Sequence, residues 1–100
     1  MARTLTAARA MVRPTDERQY LALLTERAAA AQRRSARFWV FRNQRTPGAF
    51  LEFTESAGPS AGARSAEEIE IERRMRDIAL YGPDAEEVWE ELTLSSIRPE

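Results

Sequence analysis

The chain opens on a loose two-residue alternation. In residues 4–13, TLTAARAMVR, Leu5, Ala7, Arg9 and Met11 fall on one side, and Thr6, Ala8, Ala10 and Val12 on the other. That is the period of a strand, and Pro14 ends it. The period then changes. From about Asp16 to Arg34, Tyr20, Leu21, Leu24, Ala28 and Ala31 recur at helical spacing. The four alanines at 28–31 have high helix propensity, Thr15 and Asp16 suit the helix start, and Arg33 and Arg34 suit the negative end of its dipole.

The apolar pattern is densest in the middle. Arg37-Phe38-Trp39-Val40-Phe41-Arg42 is aromatic and β-branched and predicts a strand. Residues 43–48, Asn-Gln-Arg-Thr-Pro-Gly, form a turn cluster, with Pro47-Gly48 suited to the centre of a type II turn. Residues 49–55, AFLEFTE, predict the return strand. A hairpin with one wet face alternates apolar and polar positions. This one does not. Phe38 and Val40 point one way, Trp39 and Phe41 the other; on the return, Ala49, Leu51 and Phe53 share one face and Phe50, Glu52 and Thr54 the opposite one. Leaving two or three aromatics in water would forfeit about 1.5–3 kcal/mol each. Two helices cannot cover both faces, so a partner surface or a ligand is expected on the second.

Residues 56–64, SAGPSAGAR, predict a flexible loop. Ser65-Ala66-Glu67-Glu68 is a capping box. The helix it opens is expected to run through Ile69, Ile71, Met75, Ile78 and Ala79 to Tyr81, with Gly82 and Pro83 stopping it. Asp84 to Glu87 can form one helical turn, and Val88 to about Ser95 a last strand, before a tail at 96–100. The order is β-α-β-β-α-β, so the expected fold is an α+β, ferredoxin-like sandwich spanning residues 1–100.

Composition narrows the chemistry. The chain has 100 residues, 43% hydrophobic and 31% charged, with net charge −1. These are the proportions of a globular domain. Cysteine, histidine and lysine are all absent, every basic residue being arginine. This rules out thiolate nucleophiles, disulfides, Ser-His-Asp triads, imidazole ligands, Schiff-base lysines and the P-loop lysine. Asp, Glu, Tyr and the termini remain for proton chemistry, while arginine can only bind or polarise. No apolar run is long enough for a membrane span. Thr and Arg interrupt the N-terminal segment too often for a signal peptide, so a cytoplasmic location is expected. Charge is lopsided. Residues 1–50 carry ten Arg against Asp16, Glu17 and Glu26; residues 51–100 carry five Arg against thirteen acids. The simplest consequence is that the two halves complement each other, within one subunit or across a dimer.

The strand leading to a proline (AARAMVRP), the helix YLALLTERAAAA and the hairpin RFWVFRNQRTPGAFLEFTES together resemble the dimeric α/β-barrel superfamily, and within it the small antibiotic-biosynthesis-monooxygenase-like domains. The hairpin matches the aromatic R-Y-x-V-Y-R…P-x-x-F stretch common there. The resemblance implies a homodimer packed sheet against sheet, with a pocket between each subunit's own sheet and helices for an apolar or aromatic small molecule. It also implies activity without metal or organic cofactor, using Asn, Trp, Tyr and Arg around a polarised phenol. Haem-degrading members need a His ligand that this chain lacks.

The weak catalytic candidates are Asn43, Trp39, Glu52 and Tyr81. Asn43 can also simply start the turn. Trp39 can serve as core or interface. A buried Glu52 could act as a base, whereas an exposed one, or one paired with Arg9, would do no chemistry. Tyr20 and Tyr81, on helices, could place hydroxyls in the cleft or pack with a wet hydroxyl. Trp39, Phe41, Phe50, Phe38, Phe53 and Tyr20 are expected at a pocket or dimer interface. Arg73, Arg74 and Arg76, alternating with Glu70, Glu72 and Asp77, suit a solvated helix face. The run Glu67, Glu68, Glu70, Glu86, Glu87, Glu90 and Glu91 lacks an oxygen-ligand loop pattern, so no metal site is expected. Two further functional classes stand beside the oxygenase. One is a homodimer that binds a ligand, or acts as an accessory subunit, without turnover. The other is an RNA-binding sheet using Phe38, Trp39 and Phe41 flanked by Arg33, Arg34 and Arg37; the glycines of the usual motif are missing from ARFWVF and the second half is acidic, so nucleic acid is not the expected partner.

Overall fold

A computed structural model describes residues 3–56 and 63–94. The elements are β1 (Thr4–Val12), α1 (Glu17–Arg33), β2 (Ala36–Arg42), β3 (Ala49–Ser56), α2 (Ala66–Ile78), β4 (Ala79–Tyr81) and β5 (Val88–Glu90), with a 3-10 turn at Pro14–Asp16. The loop expected at 56–64 lies largely, and the tail expected at 96–100 wholly, outside the described residues. No helix among those described is long and apolar enough to cross a membrane.

The sheet is antiparallel and open, in the order β2-β3-β1-β4, with β5 also paired to β1. Two helices cover one face. This arrangement is consistent with the ferredoxin-like order. The central hairpin forms at the expected place. Gly48 has φ 81° and the Ala49 amide donates to the Thr46 carbonyl at 3.3 Å, closing a turn around Pro47-Gly48. The same glycine anchors the hairpin to β1, because the Val12 amide donates to the Gly48 carbonyl at 2.8 Å.

The C-terminal third departs from expectation. The second helix stops at Ile78, and Ala79–Tyr81 is a strand instead of a last helical turn. The reason is the outer edge of β1. Ala79, Leu80 and Tyr81 pair with Val12, Met11 and Ala10, satisfying backbone groups that a helix would leave open. The Gly82 amide then donates to the Arg9 carbonyl at 3.0 Å. Residues 83–86 form turns, not a helical turn, with Ala85 N–H on the Gly82 carbonyl and Glu87 N–H on the Asp84 carbonyl. β5 resumes along the far end of β1, opposite Thr4 to Thr6. The last strand of the expected order is thus split into two short pieces along one edge.

The buried stripe of α1 is Tyr20, Leu23, Ala30 and Ala31. Leu21, expected in it, faces solvent. Against this stripe lie Ala10, Val12, Phe50 and Ala79 from the sheet, and Ile71 and Met75 from α2. Ala36 and Phe38 pack on Ala31 at the other end. Ile69 is exposed.

Gly48 generates a direct test. A Cβ at this position would overlap the Val12 carbonyl oxygen, and its positive φ disfavours any L side chain. Gly48→Ala is expected to destabilise the chain by more than about 1 kcal/mol in urea unfolding. An unchanged midpoint would show that the turn conformation is not required.

Candidate functional site

The hairpin's alternation places Glu52 on the helix-facing side of β3, opposite Ala8 on β1 and Val40 on β2. The residue is 3% exposed. A carboxylate so far from water needs donors, and it has three. Tyr20 donates to Oε2 at 2.5 Å, Tyr81 donates to the same oxygen at 2.8 Å, and the Arg27 guanidinium donates to Oε1 at 3.1 Å. These donors come from α1 and β4. Arg27 also lies 4.4 Å from the Phe38 ring centroid, a cation–π contact. Its Nη2 is 3.8 Å from Glu72 Oε2 on α2, beyond hydrogen-bond reach. Arg64 pairs with the other oxygen of Glu72. A second buried pair joins the helices: Arg34 Nε and Nη2 meet both oxygens of Glu68 at 2.7 and 2.9 Å. Glu68 was expected to close the capping box. Ser65 does accept from the Glu68 amide at 3.1 Å, but the Glu68 carboxylate serves Arg34 instead.

Burial first, and then the Glu52 carboxylate, push both tyrosine hydroxyls well above their ordinary value. They therefore remain protonated donors at neutral pH and are not phenolate bases.

Beside this network runs a cleft of about 940 Å³ between sheet and helices. Glu52, Tyr81, Arg27, Arg34, Arg64 and Glu72 all line it. Leu5, Ala8, Ala63 and Val88 line it as well, so its lining mixes polar and apolar groups.

The predicted site residues divide into three groups. Glu52 and Tyr81 meet in the cleft, joined by Tyr20. Glu52 is neither exposed nor paired with Arg9, because Arg9 stands opposite Leu51 on the other face of the sheet. Tyr81 lies on a strand and not a helix, and the Tyr20 hydroxyl is buried, not wet. Phe38, Phe50 and Tyr20 pack into the core, with Tyr20 and Phe50 4.8 Å apart. Trp39, Phe41 and Phe53 lie on the open face, Trp39 stacked on Phe53 at 5.5 Å and Phe41 edge-on to it at 5.7 Å. Asn43 is exposed at the hairpin tip, where its side-chain oxygen accepts from the Arg45 and Thr46 amides. It is not near Glu52 in the cleft.

Arg27, Glu72 and the Arg34–Glu68 pair belong to the site without a local motif that marks them. Spacing carried the signal. Arg27 and Arg34 follow Tyr20 by seven and fourteen positions, on the same helical stripe. Glu68 and Glu72 interleave with Ile71 and Met75 on α2. Glu72 was grouped with a solvated face; it is buried, while Arg73, Glu70 and Asp77 do form exposed pairs. The lopsided charge resolves as complementation within the subunit, for Arg3, Arg27, Arg33 and Arg34 all pair with acids of the second half.

No protein-family model matches the sequence, and no curated protein matches it. The fold has a solved counterpart. The chain is similar to a conserved protein of unknown function from Bacteroides thetaiotaomicron, described as a possible oxidoreductase. The TM-score is 0.73 over 90% of this chain and 98% of that one, at 10% identity. A likeness at that identity establishes shared fold and nothing about chemistry.

The network makes an optical prediction. The chain has two tyrosines, and both bond to Glu52. Raised in the folded state, they contribute stability that is complete below the free-tyrosine value of about 10 and is lost as pH rises above it. Ultraviolet titration should show no tyrosinate step near pH 10 while the chain is folded, and a joint step on alkaline unfolding. Ionisation at the ordinary value with native circular dichroism would contradict the buried network.

Proposed function

We propose that the chain acts as a homodimer of the dimeric α/β-barrel type, each subunit holding a small molecule in the cleft between sheet and helices. The observation that carries this reading is the unlike use of the two sheet faces. One face builds core and cleft. The other presents Leu5, Met11, Phe41, Leu51, Phe53, Leu80, Trp39 and Trp89 with no helix over them. Met11 is 47% exposed, Phe41 58%, Leu80 78% and Trp89 51%. A largely apolar face of this kind, with Arg9 and Arg37 the exposed charges set into it, marks an interaction surface, and a second copy offers the matching face. A stable dimer needs roughly 800 Å² from each partner, and aromatic residues supply 150–250 Å² each, as a rough guide. The resemblance to antibiotic-biosynthesis-monooxygenase-like domains supports the same assembly and carries with it an activity, oxidation of the bound molecule without metal or organic cofactor. The solved counterpart's description as a possible oxidoreductase is compatible with that activity.

A second reading, binding without turnover, is favoured by one observation. The Glu52 carboxylate accepts from three donors and both tyrosines stay protonated, so no base in the network is free. Oxygen uptake in the presence of a dihydroxynaphthalene separates the two: consumption supports oxidation, and its absence alongside binding supports the second reading.

The assembly has its own test. Sedimentation should give twice the chain mass, and Phe41→Glu with Leu80→Glu should give a folded monomer. A monomeric parent chain would overturn the reading. So would salt-dependent retention of a labelled oligonucleotide by a monomer, which would assign the aromatic face to RNA.

A further inference from the structure

The helix-facing side of the sheet is itself split in two. At one end Ala10, Val12, Phe50 and Ala79 build the dry core. At the other, Thr4 stands opposite Ser56 and Thr6 opposite Thr54. Residues opposite each other in the antiparallel ladder share a face, so the four hydroxyls form a patch two strands wide. All four line the cleft and all are half-buried. Among the described residues, none of the four has a side-chain hydrogen-bond partner. A packed core would place aliphatic side chains here, since hydroxyls under helices need partners.

A second, independent observation points at the same space. Glu72 lines the cleft, is 7% exposed, and leaves Oε2 buried without a hydrogen-bond partner. Arg27 Nη2 lies 3.8 Å from this oxygen, an ion pair without a hydrogen bond, so the acceptor still has room for a donor from a ligand or water. At the cleft's rim, Arg76 is exposed and forms no ion pair among the described residues. The cleft thus offers a floor of hydroxyls that donate and accept, one buried carboxylate oxygen that only accepts, and one uncompensated cation.

We propose that the cleft binds a small aliphatic polyhydroxy acid, of the uronate or aldonate type. Its hydroxyls meet Thr4, Thr6, Thr54 and Ser56, one of them donates to Glu72 Oε2, and its carboxylate meets Arg76. This rests on the reading of the cleft as a ligand site and goes with binding without turnover, because a flat phenol has too few hydroxyls to pair with Glu72 Oε2 and the whole floor at once. Discrimination of this kind, through buried polar groups left without partners, is stronger than discrimination by apolar shape.

The test is calorimetric titration of the full chain with four probes: D-glucuronate, D-gluconate, D-glucose and a dihydroxynaphthalene. An acid sugar should bind, glucose should bind about tenfold or more weakly, and added salt should weaken the acid. Arg76→Gln, at an exposed position that leaves folding intact, should reduce acid affinity about tenfold while leaving glucose unaffected. Thr6→Val with Thr54→Val, which keeps shape and strand propensity, should weaken acid and glucose alike by about three- to tenfold or more, with unchanged circular dichroism. Binding of the naphthalene diol but neither acid would overturn the ligand class and leave the cleft as a site. Binding of none of the four would overturn both. Acid binding unaffected by Arg76→Gln and by the threonine pair would place the site elsewhere and overturn the assignment.

Discussion

One carboxylate ties the domain together. Glu52 stands in the middle of the central hairpin's return strand, and its three donors reach it from the first helix and the short edge strand. Arg27 extends the connection towards Glu72 on the second helix. Burying a charge demands good geometry and full hydrogen bonding. Both oxygens of Glu52 meet that demand, so the network specifies how the sheet and α1 sit on each other. Removing Glu52 would leave Tyr20, Tyr81 and Arg27 without their shared acceptor. The same constraint decides what the tyrosines can do. Held against a carboxylate, Tyr20 buried and Tyr81 half-buried at the cleft, they are donors and not bases.

The sheet divides labour around that point. Towards one end of its helix-facing side, alanine, valine and phenylalanine close a thin core. Towards the other, threonine and serine floor an open cleft. The reverse side keeps its aromatics and aliphatics at the surface. A chain with two helices cannot bury both faces, which is the ground for proposing assembly on the apolar reverse side and a ligand in the cleft. The split edge strand follows from the same economy of material: β4 and β5 each satisfy part of the outer edge of β1, and the turns between them form one wall of the cleft.

Much of this was legible in the residues. The hairpin with Pro47-Gly48 at its turn, the two-faced aromatic strands, the Ser65 cap and the element order are local patterns, set by turn chemistry and by two-residue or helical periods. What was hidden depended on distant partners. Ala79-Leu80-Tyr81 follows a helical pattern without interruption, and only the unpaired edge of β1 makes it a strand. Whether Glu52 is buried or exposed is open in the sequence, because Arg27, which makes its burial tolerable, lies on another element and looks like an ordinary helix arginine. Glu68 fitted a capping box so well that its pairing with Arg34 was not foreseen. The floor of hydroxyls was equally invisible, since Thr4, Thr6, Thr54 and Ser56 come together only through the register of β1 with β3.

The central claim is that Glu52 and Arg27 act as one buried unit that orders the domain. A double-mutant cycle in urea unfolding measures this directly, using Glu52→Leu, Arg27→Met and the two together. Each single change removes one partner of the buried pair and should destabilise by about 3–5 kcal/mol. The double change should lose clearly less than the sum, giving a coupling of about 1–3 kcal/mol. Single effects that simply add would contradict the account, because they would mean that the two groups stabilise the fold independently.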